Sequence, residues 1–244
     1  MIDIHSHILP MIDDGASSVE MALEMLKMAY EDGTDSIILT PHFAHSYGFD
    51  NPNSKIKELY EDLKYIVKAE RIPINIYLGC EYLYTTKNAF YEDLKDITFM
   101  NDTKYILIEF YFDVEGSTIL EAVDTVLENG FIPILAHMER FDCVQENIDI
   151  AIKAKQKGAY LQMNKGSILG RYGQIVKDTS YDLLNKDAYT FVGSDAHHPS
   201  RRTPLMYDAY QFIKEYFGKT YAKDLFENNA KKYLGIGGIR DEEY

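Results

Sequence analysis

The sequence predicts an α/β protein whose parallel sheet closes into a barrel, and three observations support this. Apolar, strand-like runs alternate with amphipathic helical stretches along the chain. The runs are continuously apolar rather than alternating, as in parallel strands that are covered on both faces. About seven such units fit into 244 residues, a length that an α/β barrel fills as one domain. We therefore expect residues 1–244 to form a single domain.

The elements follow from periodicity and from local stop signals. Strands are expected at 2–9, 36–42, 74–82, 104–110, 131–140, 159–164 and 189–198. Ser17 and Glu20 form a predicted capping box for the first helix, which Gly33 ends. Helical spacing of apolar residues predicts further helices near 56–67, 118–129, 145–157, 204–217 and 219–233. The stretches 83–103 and 165–188 receive no assignment, and the tail at 241–244 is expected to be disordered.

Charge and cysteine content exclude several kinds of partner. The net charge of −14 argues against a nucleic-acid or anionic-membrane surface. The apolar runs are shorter than the ~18 residues of a membrane span, and the first run carries titratable residues that a signal peptide lacks. We expect neither membrane insertion nor a signal peptide. Cys80 and Cys143 lie far apart, which argues against a disulfide framework or a thiolate zinc site. A cytoplasmic location is expected, and the oligomeric state is left open.

Potential metal ligands follow six of the predicted strands. Because the carboxyl ends of barrel strands meet at one mouth, these side chains should converge there, with Asp14 on the first loop. The candidates are His5, His7, Asp14, His42, Glu81, Glu109, His137, Asp195 and His197. A single histidine at a strand end is more often a hydrogen-bonded core residue, and a single glutamate would most often pair with an arginine. Burying so many titratable groups together, however, is costly without cations.

The donor set narrows the chemistry to divalent ions. All the candidates offer nitrogen or oxygen, which suits manganese, iron, zinc, magnesium or cobalt and not copper(I) or iron–sulfur clusters. Nine ligands are too many for one ion, so two or three ions with a bridging carboxylate are expected. Such a cluster polarises a phosphoryl oxygen and lowers the pKa of a bound water. The sequence therefore predicts metal-assisted hydrolysis.

Arginines beside these residues indicate an anionic substrate. Arg140 lies three residues after His137, and Arg201 and Arg202 follow His197. Guanidinium groups bind phosphate in a bidentate way, although a surface salt bridge is an equally good explanation for Arg201 or Arg202 taken alone. The sequence has no C-x5-R phosphatase loop, no phosphate-binding G-x-x-x-x-G-K-[ST] and no serine nucleophile elbow.

Six ordered motifs resemble the PHP superfamily (polymerase and histidinol phosphatase). They are DIHSHILPMIDDG (3–15), TPH (40–42), GCEY (79–82), LIEF (107–110), AHMER (136–140) and GSDAH (193–197). Together with the chain length they are similar to the manganese-dependent protein tyrosine phosphatases of Gram-positive capsule and exopolysaccharide operons. The resemblance implies a distorted (β/α)7 barrel with three manganese ions at the carboxyl ends of the strands. Its implied substrate is a phosphorylated bacterial tyrosine kinase with a tyrosine-rich tail.

The resemblance also implies roles for individual residues. A first ion would be held by His5, His7, Glu81 and Asp195, a second by Glu81, Glu109 and His137, and a third by Asp14, His42 and His197. Arg140 would contact the phosphate, with help from Arg202. The motif TPHF departs from the family, since many relatives have a second histidine where this chain has Phe43; His45 lies nearby.

Two other functions remain open at this point. A histidinol phosphatase, or another PHP phosphoesterase of small molecules, would use the same ions. Its alkoxide leaving group needs strong protonation, whereas a tyrosine with a pKa near ~10 needs little. No dedicated general acid is evident in the sequence, which favours an aryl ester. The third possibility is a metal-loaded module that binds phosphotyrosine or acidic tails without turnover.

Overall fold

The computed structural model describes residues 1–237, which form an α/β fold. The strands are β1 (Ile2–Ser6), β2 (Ser36–Leu39), β3 (His42–Phe43), β4 (Asn75–Leu78), β5 (Glu81–Leu83), β6 (Tyr105–Glu109), β7 (Ile132–Leu135), β8 (Tyr160–Asn164) and β9 (Phe191–Gly193). The helices are α1 (Val19–Glu31), α2 (Asn53–Ala69), α3 (Lys87–Asp93), α4 (Gly116–Glu128), α5 (Asp142–Glu146), α6 (Asp149–Lys157), α7 (Lys165–Ile168), α8 (Gln174–Asn185), α9 (Tyr207–Tyr216), α10 (Lys219–Lys223) and α11 (Asn229–Leu234).

The strands form two parallel ladders. One runs in the order β1-β2-β4 and the other in the order β3-β5-β6-β7-β8-β9. The predicted runs 36–42 and 74–82 each contain two short strands, because the chain breaks at Thr40–Pro41 and at Gly79–Cys80. Proline lacks the N–H that a ladder needs. After these breaks His42 pairs with Glu81 in the second ladder, so both lie at its carboxyl edge.

The first and last strands approach each other, so the parallel sheet is curled. Ser6 and Ala196 form an isolated parallel bridge. The His7 amide donates to the Ala196 carbonyl and the Asp195 amide donates to the His5 carbonyl, each at 2.8 Å. These contacts place the histidines of the chain's start beside the Asp195 segment near its end.

Two glycines allow the close approaches around β1. A Cβ atom on Gly193 would lie 2.6 Å from the His5 Cβ, and one on Gly15 would lie 2.0 Å from the His7 carbonyl oxygen. Both distances are too short for any larger residue without movement of the neighbouring chain. Glycine is therefore needed at position 193, where the segment after β8 packs on β1, and at position 15, where the first loop packs on His7.

The first helix begins one residue later than predicted. Ser18 is the N-cap, and its hydroxyl accepts a hydrogen bond from the Met21 amide at 3.2 Å. The capping box of Ser17 and Glu20 is therefore wrong in register: the Ser17 hydroxyl instead lies 3.5 Å from the Met21 sulfur. Ser18 has the extended backbone that a capping residue requires.

Several segments differ from the sequence-based assignment. The unassigned stretches contain α3, α7 and α8, and positive-φ glycines at Gly170 and Gly173 separate α7 from α8. The helix expected at 145–157 is divided into α5 and α6, and that at 219–233 into α10, a π-helical turn and α11. The tail expected to be disordered, 241–244, lies outside the described residues. Of the helices within residues 1–237, none is both long and apolar enough to cross a bilayer.

Replacing Gly193 with alanine should destabilise the fold. We expect Gly193→Ala to lower the free energy of unfolding by about 1–3 kcal/mol, because the new methyl group overpacks against β1. Chemical denaturation measures the change. Gly116→Ala is the matched control, since its Cβ would meet the flexible end of Ile150 at 2.5 Å and should cost less. Equal stability of Gly193→Ala and the unsubstituted protein would contradict this account of the close approach.

Candidate metal centre

The nine predicted ligands lie together at the carboxyl edge of the curled sheet. His5, His42, Glu81 and Glu109 lie on strands, and the other five follow a strand directly or lie on the first loop. Eight of the nine are buried. Asp14 is the exception: its side chain is 54% exposed, which places it at the opening of the site.

Four ligand atoms form a compact cage at the deepest point. They are His5 Nε2, His7 Nε2, Glu81 Oε2 and Asp195 Oδ1. Glu81 Oε2 lies 3.2 Å from each histidine nitrogen, and the two nitrogens lie 3.2 Å apart. Asp195 Oδ1 lies 3.6 and 3.5 Å from the nitrogens of His5 and His7. A tetrahedral ion with ligands at ~2.1 Å requires donor separations of ~3.4 Å. The separations among His5, His7 and Glu81 are close to that value, so these three residues fit a divalent ion.

Glu81 connects this cage to a second group of donors. Its Oε1 lies 3.1 Å from His137 Nε2, and its Oε2 lies 3.3 Å from His42 Nδ1. The same His42 nitrogen lies 2.9 Å from Glu109 Oε1. One buried carboxylate therefore faces both groups, as a bridging ligand does.

A third group lies toward the opening. Asp14 Oδ1 lies 3.3 Å from His197 Nε2 and 3.5 Å from His42 Nε2. His7 also offers a ring nitrogen to this group, because one ligand atom from each of the four residues lies within 4.8 Å of the others. The three groups thus share members and form one continuous cluster.

The electrostatics of the cluster favour cations. Burial opposes protonation of His5 and His42, but the neighbouring carboxylates outweigh it and raise the pKa of His5 to about 9 and that of His42 to about 10. Burial and the charge of Glu81 raise the pKa of Glu109. Although Asp195 is buried, Arg202 and His5 hold its pKa well below the usual value. Without ions, protons and arginines must therefore balance the buried carboxylates.

Several donor atoms are buried without a hydrogen-bond partner. They are His42 Nδ1, Glu81 Oε2, Glu109 Oε1 and His197 Nε2. Such orphaned atoms are rare in folded proteins, because each forfeits its hydration without replacement. Positive ions among them would supply the missing partners. This observation supports a metal centre together with the spacing of the ligands.

Asp13 supports the ligands from behind, and sequence reasoning missed it. Its carboxylate accepts from His7 Nδ1 at 2.8 Å and from the His42 amide at 3.0 Å. These bonds leave Nε2 of His7 free to face the cage, as a carboxylate behind a ligand histidine does. The sequence offered one signal for this residue, since Asp13 directly precedes the candidate ligand Asp14.

A chain of two buried amides on β8 links three further ligands. Gln162 Oε1 accepts from His5 Nδ1 at 3.0 Å and from the His137 amide at 3.1 Å. Its Nε2 donates to Asn164 Oδ1, and Asn164 Nδ2 donates to Asp195 Oδ2 at 2.6 Å. The two amides lie two residues apart on one face of an otherwise apolar strand, which was the available signal.

Two of the candidate ligands adopt left-handed backbone conformations. His137 has a φ of 33° and Asp195 a φ of 53°, which non-glycine residues rarely adopt. Such conformations cost roughly 1–3 kcal/mol each and concentrate at functional sites. These conformations lie just after β7 and β9, where they set the direction of the His137 and Asp195 side chains.

The arginines flank the cluster on one side. The Arg140 guanidinium lies between the rings of Phe112 and Tyr172, 4.6 Å from each centroid, and its Nη1 lies 3.4 Å from Asp195 Oδ2. Arg202 forms an ion pair with the same Asp195 oxygen. The adjacent Arg201 is exposed. His45 turns away from the cluster, with its Nε2 3.0 Å from Asp93, and so does not replace the histidine absent at Phe43.

The fold and site define a candidate multi-metal centre with adjacent guanidinium groups on an α/β scaffold. Comparison with known proteins gives the particular family. A family model described as capsular polysaccharide synthesis, CpsB/CapC, matches residues 1–235. The chain therefore belongs to the CpsB/CapC family.

Two curated relatives span nearly the same length. The chain is 32% identical over 239 residues to tyrosine-protein phosphatase CpsB of Streptococcus pneumoniae, covering 96% of this chain and 98% of the relative. It is 34% identical over 231 residues to tyrosine-protein phosphatase YwqE of Bacillus subtilis, covering 93% and 89%.

Solved structures support the same assignment. A structure from work on YwqE and CpsB, described as metal-dependent tyrosine phosphatases, superposes with a TM-score of 0.88 at 33% identity, covering 96% of this chain and 94% of that chain. The phosphotriesterase homology protein of Escherichia coli superposes with a TM-score of 0.62 at 12% identity, covering 96% and 98%, which shows the shared fold alone.

Ion binding should release protons. At pH 7 His5 and His42 are charged in the ion-free protein, since their pKa values are raised to about 9 and about 10. Both must lose a proton to bind an ion, so adding Mn²⁺ should release protons from these two histidines. The apparent affinity for the ion should fall as the pH falls, because protons compete.

Titration of chelator-treated protein with Mn²⁺ in weak buffer, followed by a pH indicator and by calorimetry, measures both effects. His45→Ala is the control, because His45 faces Asp93 and should leave proton release unchanged. Tight ion binding without proton release would show that the cluster is not protonated in this way.

Proposed function

We propose that the chain is a metal-dependent phosphotyrosine-protein phosphatase, a hydrolase that dephosphorylates a bacterial tyrosine kinase regulating capsule or exopolysaccharide synthesis. The observation that carries this proposal is the buried cluster around Glu81 with Arg140 and Arg202 beside it. Membership of the CpsB/CapC family, whose relatives are named tyrosine-protein phosphatases, supports the same activity. The proposed site of dephosphorylation on the kinase is its tyrosine-rich tail.

The proposed centre contains three divalent ions, with manganese as the expected metal and iron, zinc, magnesium or cobalt as alternatives. His5, His7, Glu81 and Asp195 would hold the first ion, Glu81, Glu109 and His137 the second, and Asp14, His42 and His197 the third. The distances among His5, His7 and Glu81 support the first site, and the orphaned donor atoms support a centre with several ions. In the structure, Glu109 and Glu81 lie nearest His42, which would then face both the second and the third ion. When bound, the ions supply Lewis acidity toward the phosphoryl oxygens and an activated water.

The chain's own residues bind and orient the substrate. Arg140, held between two aromatic rings, is positioned to donate to phosphate oxygens, and Arg202 assists from the loop after His197. Their charges stabilise the equatorial oxygens during in-line attack. The tyrosine leaving group, with a pKa near ~10, departs with little protonation. This suits a site in which the acidic and basic residues serve mainly as ligands.

The finer structural and cellular predictions belong to the same proposal. If β2 with β3, and β4 with β5, are each counted as one interrupted strand, the nine strands become seven. This count corresponds to the proposed distorted (β/α)7 barrel. Residues 1–244 are proposed to act as one phosphoesterase domain. The two free cysteines favour the reducing cytoplasm, where a kinase tail would be met.

The first experiment compares two substrates on one preparation. Chelator-treated protein with Mn²⁺ restored should release phosphate faster from a tyrosine-phosphorylated peptide than from histidinol phosphate, and chelation should abolish both rates. Metal-dependent preference for histidinol phosphate would overturn the proposed substrate in favour of a small-molecule phosphatase. Retention of the phosphopeptide without phosphate release would indicate a binding module.

Arg140 should matter for phosphate and not for the ions. We expect Arg140→Ala to keep the bound metal but to lower kcat/KM for the phosphotyrosine peptide by about 100-fold, as loss of a charge-assisted contact in the transition state does. Metal analysis and steady-state kinetics measure the two effects. The control is Arg201→Ala, at the exposed position next to Arg202, and this variant should behave like the unsubstituted protein. Normal turnover by Arg140→Ala would remove Arg140 from the mechanism.

A further inference from the structure

Aromatic side chains from two segments lie beside the candidate metal centre. Tyr47 and Phe49 follow β3, and Tyr111 and Phe112 follow β6; these four form the aromatic rim. Tyr47, Tyr111 and Phe112 are 48%, 36% and 47% exposed. Large aromatic surfaces grouped at the mouth of a buried site mark a place where an apolar group binds.

The rim is attached directly to the site. The Phe49 ring stacks on the ring of His42, with centroids 5.5 Å apart and an interplanar angle of 8°. Phe112 lies over the Arg140 guanidinium on one side and 6.3 Å from the His137 ring. The rim therefore begins where the candidate metal ligands and the phosphate-binding arginine end.

The two rim segments also hold each other. The Tyr111 hydroxyl donates to the Ser46 hydroxyl at 2.5 Å, and the rings of Tyr47 and Tyr111 meet edge to face at 5.6 Å. An aromatic group entering the cleft would thus meet surfaces that are already positioned. Little conformational entropy would be lost on binding, because the rings are ordered beforehand.

We propose that the aromatic rim, through Tyr47 and Phe112, binds the phenyl ring of the substrate and selects aryl over alkyl phosphate esters. This inference rests on the proposed phosphatase function and adds the residues that determine its specificity. Eight of the nine candidate ligands are buried and the Arg140 side chain beside them is 18% exposed, so a phosphate bound there would direct its ester group outward, toward the rim. A phenyl ring extends to the exposed rings and packs edge to face or offset on them. A short alkyl ester leaves these rings in water.

The test measures binding without a leaving group. Phenylphosphonate and methylphosphonate carry the same charged head, and neither is hydrolysed as an ester is. Calorimetry on the Mn²⁺-loaded protein should give about fivefold or more tighter binding of phenylphosphonate. Tyr47→Leu should reduce this preference by about threefold while changing methylphosphonate binding by less than about twofold. Phe112→Leu should also reduce the preference by about threefold, beyond any equal weakening of both phosphonates through its contact with Arg140.

Tyr65→Leu is the matched control. Tyr65 is 76% exposed on α2, so the preference for phenylphosphonate should stay unchanged. Thermal melting and metal content identify any variant that fails to fold. If both rim variants keep the full preference, the proposal is overturned. It is also overturned if Phe112→Leu weakens both phosphonates equally, because Phe112 would then act only by holding Arg140.

Failure of this inference differs from failure of the proposed function. Protein that hydrolyses the phosphotyrosine peptide while its rim variants keep the full preference overturns the rim alone. Protein that prefers phenylphosphonate through Tyr47 and Phe112, yet releases no phosphate from the peptide, supports the rim and overturns the phosphatase.

Discussion

The rest of the structure depends on one buried carboxylate, that of Glu81. Its two oxygens lie 3.1–3.3 Å from ring nitrogens of His5, His7, His42 and His137, which three separate strand regions supply. Burying such a carboxylate is costly unless positive charge compensates it. Protons on histidines can supply that charge, but bound divalent ions supply more of it and satisfy the orphaned donor atoms as well. The surrounding fold holds these strand regions at ligand distance.

The scaffold maintains this arrangement at three levels. The breaks within β2–β3 and β4–β5 put His42 and Glu81 side by side at the carboxyl edge. Gly193 lets the last strand approach the first, so that Asp195 meets His5 and His7. Asp13, Gln162 and Asn164 then fix the orientation of the ligand side chains. Each level relies on a small or polar residue placed where packing alone would favour a larger apolar one.

Much of the site could be predicted because local sequence and strand direction carry the information. Parallel strands bring their carboxyl ends to one edge, so polar residues after apolar runs indicated where Glu109, His137 and Asp195 would meet. The capping register of Ser18 could not be separated from that of Ser17, since adjacent serines look alike to a spacing rule. The roles of Gln162 and Asn164 depend on contacts with residues 25 to 157 positions away in sequence, which periodicity does not contain. The sequence did not predict the helices α7 and α8, because the glycines between them interrupt the helical spacing of apolar residues.

The most direct test of the central claim locates the ions themselves. Anomalous diffraction at the manganese absorption edge, on crystals of the Mn²⁺-loaded protein, should show a peak inside the cage of His5, His7, Glu81 and Asp195. A second peak should lie on the other side of the Glu81 carboxylate. Manganese found only at the protein surface, with the cage empty at saturating Mn²⁺, would contradict the account of Glu81 as a bridging ligand.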